Sequence, residues 1–250
     1  MVEKNGSLEK ALKVIDLFIL KDRYSLKEII ESTSFSKAAT LRILNTLVYE
    51  HYLFKNIEDN LYYLSNKFMK LSDNSSNSKY LLSVIKGPLD DLCDKTGFTV
   101  SASILSNYES LAVYRVESSG ALSLVPNVGQ TMPLNCSGSG KILTAFSDDL
   151  MDVLSNMKYI ERTKNTIIEA TKYMEVILKA KNDRFAVDDE EIAEGLFCIA
   201  TVVLDKSDKL FCSISVSGYK IKMLEKFEYI KEELMKTAMN IENKLNRIQK

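Results

Sequence analysis

Three stretches of this chain bring residue types together at spacings that do chemistry. The first is Ser137-Gly138-Ser139-Gly140-Lys141, which has the glycines and the lysine of a phosphate-cradling loop. That loop needs glycine five positions before the glycine of Gly-Lys, and a hydroxyl residue after the lysine. Asn135 and Ile142 stand there instead, so the nucleotide reading is rejected. What remains is a turn at the mouth of a helix, with exposed amides at Gly138 and Ser139 that favour a carboxylate. The second stretch is Asp188-Asp189-Glu190-Glu191, which either recruits a metal or caps a turn or helix start. No histidine lies near it, which favours the cap. The third is Ser36-Lys37 with Arg42. A serine at a helix start leaves amides aimed outward, and an arginine on the same face pairs bidentately with guanine or clamps a phosphate.

Other reactive types are sparse. His51 is the single histidine, which speaks against His-based metal sites and Ser-His-Asp catalysis. There is no G-x-S-x-G nucleophile elbow. Cys93, Cys136, Cys198 and Cys212 form no C-x-x-C pair and read as reduced, small apolar residues. No cofactor, no metal and no enzymatic activity are expected. A small-molecule-binding or hydrolytic protein acting through the C-terminal half is the alternative.

The elements that must hold these residues follow from periodicity. Leu8, Ala11, Leu12, Ile15, Phe18 and Ile19 recur at helical spacing. A second helix starts at Ser25, where Ser25 and Glu28 fit a capping box. A third runs from Ser36 to about Glu50. Its inward face is Ile43, Leu44, Leu47 and Val48; Lys37, Ala38, Leu41, Arg42 and Asn45 face out, and Thr40 lies nearer the core. The runs around Glu58-Asp59-Asn60 predict a hairpin carrying Lys55. Three helices with a tight second connection, then a hairpin, is the order of a winged helix-turn-helix. The Ser/Asn-rich stretch 71–80 reads as a linker. It separates a DNA-binding domain over 1–70 from a second domain over 81–250.

In the second domain a helix stops at Gly97, and the runs FTVSASILS, LAVYRVES and ALSLVP read as strands. The helix after Gly140 follows, then helices near 148–156 and 166–182. The strands FAVD, LFCIATVVLD and LFCSISVSG come next. A closing helix carries Ile221, Leu224, Phe227, Ile230, Leu234, Ile241 and Leu245 as its inner stripe. The fold class is α+β, with an antiparallel sheet flanked by helices.

Bulk properties fit two modest domains in 250 residues. No apolar run reaches the roughly 20 residues of a membrane helix, and no signal peptide is seen at the start, so a cytoplasmic address is expected. Residues 1–72 hold 11 Lys+Arg against 9 Asp+Glu, and the rest 22 against 25. This weak asymmetry permits a DNA-binding front end.

With these segments in order, the chain resembles the IclR family of bacterial transcription regulators over essentially its full length. The likeness is carried by SLEKALKVIDLF, SLKEIIESTSFSKAATLRILNTLVYEHYLFKN, VGQTMPLNCSGSGKILTAF, and VDDEEIAEGLFCIATVVLD followed by LFCSISVSG. The resemblance implies a GAF-like effector domain and homodimers or dimers of dimers on a palindromic operator in double-stranded DNA. It implies control by a small organic or aromatic acid. DNA contacts would come from Ser36, Lys37, Thr40, Arg42 and Lys55. Asp188, Leu196, Cys198, Ser215 and Ser217 would meet the effector beside Gly138 and Ser139, with Leu124 and Met132 on the apolar side. Ser215 and Ser217 alternate with Ile214 and Val216, so the solvent face of a strand is the other reading. The chain departs from the family at Ser34, where glycine is usual, at Ala38-Ala39 in place of Ser-Thr, and at Asn135, where histidine is common.

Overall fold

Ser25 and Glu28 do close a capping box: the Glu28 amide donates to Ser25 Oγ at 3.3 Å and the Ser25 amide to Glu28 Oε2 at 2.8 Å. Two of a helix's orphan donors are thereby satisfied, which fixes where the helix begins. The computed structural model in which this is seen describes residues 5–68, 71, 76–117 and 126–248. The chain divides into two compact units, residues 1–80 and 81–250.

The first unit has helices α1 (Gly6–Asp16), α2 (Leu26–Thr33) and α3 (Lys37–Tyr49) and strands β1 (Arg23–Tyr24), β2 (Leu53–Lys55) and β3 (Tyr62–Leu64). The strands form an antiparallel sheet in the order β1-β3-β2, so the expected hairpin is joined by a two-residue strand that periodicity did not reveal. Val14, Phe18, Ile29, Leu44, Leu47, Leu53 and Tyr62 make the core. Of the stripe read on α1, Phe18 is buried and Ala11 and Ile15 are half-buried. Val14 is buried, while Leu8, Leu12 and Ile19 are exposed in this chain.

Helix α4 spans Ser76–Thr96, beginning five residues before the second unit's first residue, and the rest of that unit follows it. The stretch expected as linker is therefore helical from Ser76 onward, drawn in by the buried Val84 and Ile85 that follow; residues 72–75 lie outside the described residues. Gly97, at φ +74°, ends α4 with its amide on the Cys93 carbonyl, a left-handed stop that glycine adopts freely. Strands β4 (Thr99–Ser106), β5 (Glu109–Val116), β6 (Thr131–Pro133), β7 (Phe185–Asp189), β8 (Leu196–Leu204) and β9 (Leu210–Tyr219) form one antiparallel sheet, ordered β6-β5-β4-β9-β8-β7. Asn107 and Tyr108, both at positive φ, make the two-residue turn of the β4–β5 hairpin. Most of the run ALSLVP, expected as a strand, lies outside the described residues, and β6 lies just beyond it.

Helices α5 (Gly138–Ala145), α6 (Leu150–Asn156) and α7 (Ala170–Asp183) follow β6. Their apolar side chains, with Ala186, Ala200 and Val202 of the sheet, form one core. Strand β8 is buried along nearly its whole length, so both of its faces must be covered. Helix α5 covers one and the closing helix packs on the strand too. That closing helix is two pieces, α8 (Lys220–Glu225) and α9 (Phe227–Ile248), broken at Lys226. The break rotates the first piece out of register. Met223 is buried there, and Ile221 and Leu224, expected on the inner stripe, are exposed.

Candidate nucleic-acid interface and ligand cavity

The connection between α2 and α3 is three residues. Thr33 Oγ1 donates to the Ile29 carbonyl at 2.7 Å, and Ser34 closes α2 in the left-handed region at φ +58°. A residue with a Cβ pays roughly 1–2 kcal/mol for that conformation, which is the physical cost of serine where the family usually has glycine. Ser36 then caps α3, accepting the Ala39 amide on its Oγ at 3.3 Å. Capping leaves the Ser36 side chain exposed at the helix mouth, and Lys37, Ala38, Arg42 and Asn45 are exposed with it.

Thr40 does not join this face. It is fully buried and its hydroxyl donates to the Ser36 carbonyl at 3.1 Å, so its side chain is not available at the surface. Arg42 borders a groove along α1 with Asn5, Ser7 and Lys10. Lys55 lies on the hairpin with its Nζ 5.5 Å from the Tyr62 ring centre, a placement that leaves the ammonium at the surface. Lys10, over the Phe35 ring at 5.6 Å, was not foreseen as a cation of this region. Its signal was the lysine's position on α1, read only as part of an amphipathic helix.

The cavity of the second unit is built around the start of α5. Ser137 caps that helix, its Oγ accepting the Gly140 amide at 3.0 Å. Gly140 is required, since a Cβ there would stand 2.3 Å from the Leu134 carbonyl oxygen. A Cβ at Gly138 would meet Ala200 at 3.3 Å and Cys198 Sγ at 3.5 Å, so glycine lets the helix mouth lie directly on β8. Gly138 itself packs behind the lining. Of the other residues expected, Met132, Ser139, Asp188, Leu196, Cys198, Ser215 and Ser217 all border one cavity; Leu124 lies outside the described residues. Ser215 and Ser217 are buried, so the solvent-face reading fails.

Sequence reasoning missed Ser101, Ser103, Ser110 and Ser137 in the same lining. A signal existed: FTVSASILS repeats the Ser-x-Ser alternation of LFCSISVSG, and the register sets Ser101 opposite Ser215 and Ser103 opposite Ser213.

Asp188 is the one charged residue among the described lining residues. It faces the cavity and caps a turn as well, with Oδ1 accepting the Glu191 amide at 2.7 Å. Burial pushes its carboxyl up to about 7, and neighbouring Glu191 pushes the same way against the backbone hydrogen bonds and Lys141. The rest of the acidic run is spoken for. Asp189 and Glu190 pair with Lys220 at 2.6 and 2.7 Å, and Glu191 forms a buried ion pair with Lys141. Lys141 Nζ also donates to the Val187 carbonyl at 2.6 Å. The lysine of the Gly-Lys pair thus ties α5 to the end of β7 and is sealed from solvent. Among the described residues no group of three or more metal-ligating side chains is assembled. Burial raises the Cys198 thiol to about 12, so it lines the cavity as a protonated, weakly polar group.

Asn135, the departure from histidine, does not border the cavity. Its Nδ2 donates to the Ile160 and Ile167 carbonyls at 3.2 and 2.9 Å, and its Oδ1 accepts the Ile160 amide at 3.2 Å. It staples the segment between α6 and α7. Among the described residues no helix is long and apolar enough to cross a membrane.

Residues 75–243 match the family model described as the bacterial transcriptional regulator IclR C-terminal domain, and residues 7–56 match the IclR helix-turn-helix domain. The chain is 25% identical over 214 residues to the HTH-type transcriptional regulator XynR of Escherichia coli (strain K12), covering 84% of this chain and 85% of that protein. Among solved structures, the Thermotoga maritima IclR superposes with a TM-score of 0.73 at 25% identity, covering 96% of this chain and 98% of that one. An IclR homologue from Microbacterium hydrocarbonoxydans, complexed with 4-hydroxybenzoate, shares the fold with a TM-score of 0.83 at 18% identity, covering 96% and 99%.

Proposed function

The chain belongs to the IclR family of bacterial transcriptional regulators, and from that premise we propose that α3 reads an operator while the second unit's cavity holds a small organic effector that changes operator affinity. The observation that carries this reading is the exposed face of α3. Ser36, Lys37 and Arg42 stand free of the first unit's core, as a recognition helix must to enter the major groove with its N-terminal residues at base edges. Lys55 on the hairpin adds a backbone contact in this reading.

Control follows if the effector favours one arrangement of two DNA-binding heads over another, since a ligand shifts an equilibrium only by its differential affinity. A homodimer on a palindromic site, acting in the cytoplasm, is part of this reading. It describes a binding protein and not an enzyme. An acid, the effector class implied by the resemblance, places its charge at the α5 mouth on the Ser139 side, away from Asp188. A gel shift with the gene's own upstream region tests the reading: saturation at nanomolar protein with scrambled DNA left unbound supports it, and equal binding to both sequences overturns it.

A further inference from the structure

Seven of the thirteen described residues that line the cavity are serines. A sheet face buried under helices is by default aliphatic, because an unbonded hydroxyl in an apolar setting costs free energy. Here Ser101 and Ser103 on β4 share one face with Ser215 and Ser217 on β9, and Ser101 stands directly opposite Ser215. Ser101 is 4% exposed, and its Oγ is buried without a hydrogen-bond partner. That hydroxyl is a donor and acceptor held at the cavity wall with its capacity unused. Across the sheet, Asp188 stands opposite Cys198, which stands opposite Ser217, so a carboxyl acceptor terminates the row of hydroxyls. The described lining includes no lysine, arginine or histidine and no aromatic ring.

Resting on the effector reading above, we propose that this cavity takes a short, polyhydroxylated carbon chain, a polyol, aldose or aldonic acid, and not a flat aromatic acid. Its hydroxyls exchange hydrogen bonds with the paired serines, and one of them donates to the Asp188 carboxyl, the stronger acceptor of the set. Met132, Ile192 and Leu196 cover the carbon backbone. The polyol and the acid share this chemistry and differ in how they meet Asp188. A neutral chain is held by the charged form, so Asp188→Asn weakens it. An aldonic acid is repelled by that form, so the same substitution strengthens it.

The test is calorimetry on the full-length protein with ribitol, mannitol, ribose and glucose, with ribonate and gluconate, and with 4-hydroxybenzoate and butyrate. At least one polyhydroxylated probe should bind, and Ser101→Ala and Ser215→Ala should each weaken it tenfold or more while moving the unliganded melting temperature little. The sign of the Asp188→Asn effect then separates the neutral chain from the acid. Binding by none of the six polyhydroxylated probes overturns the proposal. So does tighter binding of 4-hydroxybenzoate or butyrate that the serine substitutions leave unchanged. A parallel gel shift separates the failures: intact operator binding without polyol binding removes only this ligand class, whereas lost operator binding removes the regulatory reading.

Discussion

Ser101 and Ser215 face each other directly across the β4–β9 ladder and both border the same cavity, although 114 positions separate them in the sequence (215 minus 101). Neither serine is explained by sheet formation, which β-branched residues serve better. Their joint placement is what turns a sheet face into a binding surface.

Ser34 carries a cost that substitution can remove. It sits exposed at φ +58° at the end of α2, and glycine adopts that conformation without the Cβ clash. Ser34→Gly should stabilise the protein by about 0.5–1 kcal/mol after the added unfolded-state entropy is counted. Urea denaturation reads this as a higher midpoint with an unchanged slope. A lowered midpoint would mean that the Ser34 side chain makes a contact worth more than the strain.

Lys141 and Glu191 are a buried pair, 1% and 7% exposed. Removing one partner strands the other charge, at a cost of roughly 3–5 kcal/mol. Lys141→Met should therefore destabilise severely, and Lys141→Met with Glu191→Leu should recover much of the loss. A double-mutant cycle on thermal unfolding checks this. Simple additivity of the two losses would contradict it.

Asp188 links stability to pH. Its carboxyl is held up at about 7 by burial, against about 3.9 in an unfolded chain. Between those values the folded protein holds a proton that the unfolded chain has released. The slope of stability with pH is then negative: the contribution is full below about pH 4 and is lost as pH rises through 7. Asp188→Asn removes this dependence while keeping an acceptor for the Glu191 amide. Wild-type melting temperature should fall relative to the variant between pH 5 and pH 8. A constant difference across that range would contradict the burial argument.

What the sequence disclosed tracks how local each signal is. The Ser25–Glu28 box and the Ser36 cap are settled within a few residues, and both stand where periodicity put them. Strand β1 is two residues long and exists only because Arg23 and Tyr24 find Tyr63 and Tyr62; nothing in its own neighbourhood announces it. The α1 stripe holds at Ile15 and Phe18 and fails at Leu8 and Leu12, which are as apolar as the buried Val14; only packing distinguishes them. Ile221 and Leu224 were misplaced because a break at Lys226 resets the helical phase. In the cavity, family likeness located the β7, β8 and β9 residues. Ser101 and Ser103 stayed hidden because a register between distant strands aligns them.

The most direct test of the account is operator binding by wild type and Arg42→Ala, followed by fluorescence anisotropy against salt concentration. Arg42 is exposed on α3, so the variant should keep its fold and melting temperature. The account expects a loss of about 1–3 kcal/mol in operator affinity, roughly tenfold or more, with binding to scrambled DNA changed far less. Unchanged operator affinity in Arg42→Ala and in Lys37→Ala together would contradict the claim that this face of α3 reads DNA.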